Sequence, residues 1–157
     1  MGFYLWPLMV LLFFLSLVGI ERHRSVQSAP ASVVTQAVQA GEAFVAYRNA
    51  VMAYQDQHQS FVGTVPANQL GGQFSADFLA AAGNAVTATG ATGRIVTCYA
   101  LLPAGAIATV LDVTDHDASF GFASGATWTS LTPGTTAQPL AVAVPDGAVV
   151  SILQMGK

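Results

Sequence analysis

SVVTQAVQAGEAFVAYRNAVMAYQDQH, residues Ser32 to His58, decides the fold. Val34, Ala37, Val38, Gly41, Phe44, Val45, Arg48, Val51 and Met52 recur at steps of three and four, so they share one helical face. Thr35, Gln36, Gln39, Glu42, Gln55 and Asp56 fall mostly elsewhere. The pattern predicts one long amphipathic helix. Arg48 intrudes on the apolar face, and it is expected to snorkel or to pair with Glu42 or a more distant acid. Tyr47 and Tyr54 stand two turns apart on nearly the same face. They are read as completing a core beneath a sheet, with the docking of a partner helix as the alternative.

Downstream, Ser60 to Pro66 ends this helix, with Gly63 and Pro66 as breakers. A short second helix is expected from Ala76 to Ala82, stopped by Gly83-Asn84, with a Thr/Ala/Gly loop from Thr87 to Gly93. The remainder reads as strands: Arg94 to Leu102, Ala106 to Val113, Ser119 to Ala123, Ala126 to Leu131, Leu140 to Val144 and Ala148 to Leu153. Pro145-Asp146-Gly147 predicts a hairpin between the last two. Short loops imply antiparallel pairing. The expected class is therefore α+β, a long amphipathic helix packed on an antiparallel β-sheet.

Upstream, Phe3 to Ile20 reads FYLWPLMVLLFFLSLVGI and holds no charge. Its helical rise of about 27 Å is close to the bilayer core of about 30 Å. Tyr4 and Trp6 sit at one end, as an interfacial aromatic belt does. Glu21-Arg22-His23-Arg24 stops the span. The expectation is a single transmembrane anchor at 3–20, with Phe3, Trp6, Leu11, Phe14 and Ile20 as anchoring residues. A connector at 21–31 and one globular domain at 32–157 follow. No basic region precedes the apolar run, and the small-residue site Gln27-Ser28-Ala29 is followed by Pro30, so the anchor is expected to stay uncleaved. Arg22 and Arg24 place the body in the cytoplasm by the positive-inside rule. Composition favours export, and the residues themselves leave the topology open.

Of the 157 residues, 53% are hydrophobic and 8% charged, against about 25% charged in ordinary soluble domains. The net charge is −3, and the body has no cluster of Lys or Arg. Nucleic-acid binding needs a basic stripe to neutralise phosphates and is excluded. Cys98 is the only cysteine, so no internal disulfide forms. It lies mid-strand in an apolar run and reads as a small buried hydrophobe. Pairing it with His58 or His116 as a nucleophile lacks a third, orienting residue and a helix N-terminus to lower the thiol's pKa. Asp112-Val-Thr-Asp-His-Asp117 is the densest polar cluster. It could hold a divalent cation, but it lacks the Gly bend of a calcium loop and the added His or Cys of a zinc site. A solvated turn between strands is the plainer reading. No catalytic, cofactor or metal residue is assigned, and no enzyme activity is expected.

Ala46-Tyr47-Arg48-Asn49-Ala50-Val51, Tyr54 and Phe61-Val62-Gly63-Thr64-Val65-Pro66 together resemble the PilM family of conjugative-plasmid thin-pilus systems. Gly93 to Tyr99 and the terminal Pro145 to Leu153 segment fit the same layout. The resemblance implies an inner-membrane component of type IVb pilus biogenesis, used in conjugation or adhesion, with its domain in the periplasm. Its partners would be other pilus-assembly proteins and pilin subunits, and Tyr47, Arg48, Asn49, Tyr54, Phe61 and Gly63 would be the motif or partner-contact residues. The layout is also similar to that of pilins and pseudopilins. A minor pilin incorporated in the fibre is thus one alternative, although Gly2-Phe3 lacks a basic leader and Pro7 stands where pilins usually carry Glu. A periplasmic metal-binding or enzymatic module built on Asp112 to Asp117 is the other.

Overall fold

The computed structural model describes residues 31–90 and 92–156. The expected anchor at 3–20 lies outside the described residues. Among the described residues, no helix is long and apolar enough to cross a membrane. The chain divides into Met1–Val34 and Thr35–Lys157, and the second unit contains the sheet and both cores.

Helix α1 spans Ala31–Gln57, within a residue of the reading from periodicity. A 3-10 turn, Ala67–Gln69, and a short helix α2, Ala76–Ala81, follow. The Ser75 hydroxyl caps α2 by accepting from the Phe78 amide at 3.2 Å. Strands β1 (Ala82–Thr89) and β2 (Gly93–Ala100) come next, then helix α3 (Ala106–Val113). Strands β3 (Phe120–Ser124), β4 (Thr127–Ser130), β5 (Gln138–Pro139) and β6 (Val149–Met155) complete the fold. The sheet is wholly antiparallel in the order β1-β2-β6-β3-β4-β5. The α+β class and the long helix packed on an antiparallel sheet are as expected.

The sheet is covered on both faces, because successive side chains point to opposite sides. On the front, Val86, Val96, Cys98, Ala100, Phe120 and Val149 meet Phe44, Val45, Tyr47 and Val51 of α1. Phe44 and Phe120 pack edge to face with ring centroids 6.1 Å apart. On the back, Ala123, Trp128 and Val150 are buried with Val144 and Ala148, and Leu140 and Val142 pack against them. Trp128 belongs to this second core.

Three expected elements are corrected. Ala106–Val113 is a helix, not a strand. Its β-branched residues read as β, but Ala106 and Val110, four apart, are buried, while α1 packs on it through Gly41. A Cβ at Gly41 would stand 2.7 Å from the Ala106 carbonyl oxygen and 2.9 Å from Thr109 Cβ, so only glycine permits this approach. The Thr87–Gly93 loop is mostly strand: β1 runs straight through the Gly83-Asn84 expected to precede it. Small residues there hid a pairing in register with β2 from Ala82↔Ala100 to Thr89↔Gly93. Leu140–Val144 is not a strand and forms no hairpin with β6. Its alternate apolar residues instead face the back of the sheet, and the turn at Pro145–Ala148 carries Gly147 at φ 76°.

The periodic face of α1 also needs amending. Val34 and Val38 are exposed, whereas Gln55, expected mostly off that face, is buried.

Candidate functional site

Most of the motif residues tie α1 to the rest of the domain. Tyr47 is buried, with its ring edge-on to Phe74 and Phe78 at 5.6 Å each. Its hydroxyl accepts from Asn84 Nδ2 at 2.8 Å. Asn84, buried in β1, also donates to the Val65 carbonyl at 3.0 Å and accepts from the Val65 amide at 2.7 Å. One amide side chain thus joins α1, the Phe61–Pro66 segment and the sheet. Nothing in the sequence singled out Asn84, since Gly-Asn reads as a helix stop.

Gly63 exchanges two backbone hydrogen bonds with Val86, at 2.9 and 2.8 Å, and does so at φ 122°, a region that favours glycine. Tyr54 packs edge-on to Phe61 at 5.3 Å and stacks on His58 at 4.1 Å. Burial raises the pKa of the Tyr47 phenol; the Asn84 hydrogen bond pulls the other way. The two tyrosines therefore complete the core, the reading preferred over helix docking.

Arg48 pairs with a distant acid, one of the expected alternatives, rather than with Glu42. Its guanidinium lies 3.4 Å from an Asp117 carboxylate oxygen and 5.5 Å from the centroid of the Phe120 ring. Its Nη1 donates to Asn49 Oδ1 at 3.1 Å, and Asn49 is exposed.

Asp117 belongs to the Asp112–Asp117 cluster, which is the C-terminal cap of α3 rather than a turn between strands. The His116 amide donates to the Leu111 carbonyl at 2.8 Å and the Asp115 amide to the Asp112 carbonyl at 3.4 Å. Asp115 and His116 lie in the left-handed region at φ 51° and 59°. This is the Schellman arrangement, with Asp115 where glycine is usual. Among the described residues, no three His, Cys, Asp or Glu side chains are grouped to hold a metal ion.

Cys98 is buried in the front core. Burial pushes its thiol up to about 12, with Arg48 opposing the shift. That direction is opposite to the activation a nucleophilic thiol needs.

An apolar concavity lies elsewhere, on the outer side of α1. It encloses about 420 Å³. Ala40 and Ala43 form its floor, and Phe74, Phe78, Leu101 and Leu102 its walls. Gln36, Gln39, Gln73 and Asp77 stand around it. A second hollow shares Gln39, Ala43, Gln73 and Phe74 and continues past Glu42 to Ala46. Sequence reading missed this groove because α1, α2 and the segment after β2 each supply one side of it.

These features define a small α+β domain, one long helix laid on a six-stranded antiparallel sheet, whose motif residues serve the fold and whose open groove flanks that helix. The PilM family model matches residues 11–152, and the chain belongs to the PilM family, with a pilus-related role. The crystal structure of a protein designated PilM from Escherichia coli B7A is similar at a TM-score of 0.60. It is 15% identical over 81% of this chain and 98% of that one, a likeness of fold. No curated protein matches the chain.

Proposed function

We propose that this protein is an inner-membrane-anchored assembly component of a type IVb pilus system, serving conjugation or adhesion through protein–protein contacts and performing no bond chemistry. The observation that carries the reading is the PilM match over 11–152. The single apolar run at 3–20 supports an anchor, and the pilus context supports a periplasmic domain in reach of pilin subunits. Cys98 is held in the core, and Arg48 and Asp117 form an ion pair.

A clean deletion, scored for pili by electron microscopy and rescued from a plasmid, tests the reading. Loss of pili with rescue is expected. Normal piliation in the deletion overturns it. Reporter fusions after Lys157 test the orientation, and a periplasmic signal is expected. Recovery of a trimmed chain in sheared fibres would replace the assembly role with that of a minor pilin.

A further inference from the structure

We infer that the groove beside α1 is a docking site for an amphipathic helix of another pilus-assembly protein, whose apolar seam is flanked by Lys or Arg. The inference rests on the assembly reading above and names the surface and the chemistry of the partner.

Shape is the first argument. The floor at Ala40 and Ala43 is formed by methyl groups, so an incoming helix can approach α1 closely. Phe74, Phe78, Leu101 and Leu102 offer apolar walls, and Leu101 is 51% exposed. A cavity of about 420 Å³ has room for two or three aliphatic side chains from one helical face, the usual way a groove reads a helix.

Charge chooses the occupant. Asp77 lines the groove and Glu42 its continuation, both exposed, and no Lys or Arg lines either hollow. The chain holds eight Asp and Glu against five Lys and Arg, a net of −3 with histidine neutral. One of those cations, Arg48, is already paired with Asp117. A second copy would bring like charge to an acidic rim, which is unfavourable at close range. A helix with basic flanks meets Glu42 and Asp77 with opposite charge while its apolar seam covers the floor.

The test uses the full chain in cells that assemble pili. A photoreactive benzophenone residue replaces Gln39 at the groove, or Asn49 on the exposed surface of α1 as a control. Cross-linked peptides are identified by mass spectrometry. The expected result is an adduct from position 39, and not from 49, to a segment with an apolar helical seam and Lys or Arg flanks. Combining Glu42→Lys with Asp77→Lys should reduce that adduct about tenfold, the effect of removing rim complementarity. Chain abundance should be unchanged.

Adducts to a second copy, to lipid or to a segment without basic flanks overturn the inference. So does the same adduct from both positions, an adduct that survives the charge reversal, or no adduct in piliated cells. The two readings fail separately. Pili in the deletion strain remove the assembly role whatever position 39 captures. A required protein with no such adduct loses only the groove.

Discussion

The two halves of α1 are put to different uses. From Phe44 to Gln57 the helix is committed to its own domain: Phe44 and Val51 are fully buried, Tyr47 bonds to Asn84, and Arg48 reaches Asp117. From Thr35 to Ala43 only Ala37 and Gly41 are buried, against α3, while Val38, Gln39 and Glu42 face outward. The family-like motif falls in the first of these regions. Its residues therefore specify how the helix seats, and the docking surface proposed above lies one to three turns earlier. A family-like motif marks what the fold needs as readily as what a partner needs.

Substitutions in the two halves should differ most at Phe44 and Val38. Phe44→Ala leaves a cavity under Phe120 and should cost about 3–5 kcal/mol. Val38→Ala should stay within about 0.5 kcal/mol, as exposed positions do. Urea unfolding of the chain in detergent measures both, and equal costs would erase the contrast. Asn84→Ala sharpens it. The change strands the Val65 amide and carbonyl and should cost about 1–3 kcal/mol. It also removes the hydrogen bond that favours the Tyr47 phenolate, so the phenol's pKa should rise further in an ultraviolet titration.

The Arg48–Asp117 pair should matter less. Asp117 is 38% exposed and the contact is 3.4 Å, so solvent screens it. A double-mutant cycle with Arg48→Met and Asp117→Asn should give a coupling below about 1 kcal/mol that shrinks in salt.

The smallest effect near neutrality comes from Cys98, because it is seen only in alkali. The folded thiol sits at about 12, above its ordinary 9.0. The unfolded chain thus loses its proton first. The stability is complete below about 9 and falls as pH rises toward about 12. Tyr47, also raised, adds in the same direction above its ordinary 10.0. Cys98→Ala should flatten this decline in thermal melts taken across that range.

Much of this was legible in the chain. The spacing of Phe44, Val45 and Val51 located α1 almost to the residue, since a long helix repeats its signal many times. Ala106–Val113 was misread because eight residues carry too few repeats to outweigh Ile107, Thr109, Val110 and Val113, all β-branched. Leu140, Val142 and Val144 alternate as a strand does, and that alternation reports one buried side. It says nothing of whether the backbone forms a ladder, and here only the Leu140 amide reaches a neighbour, the Ala126 carbonyl at 2.9 Å. The motif was visible in sequence, but its role was not, because Asn84 and Asp117, the partners of Tyr47 and Arg48, lie 37 and 69 residues away. The groove left no local signal, its walls being contributed by three separate segments.

The central claim is that the domain works through the outer side of the first half of α1. Counting pili on a deletion strain complemented with Ala43→Trp, which fills the groove floor, tests it most directly, with chain level and melting temperature measured in parallel. The account predicts few or no pili from a chain that is as abundant and as stable as wild type. Full piliation from that variant would contradict it.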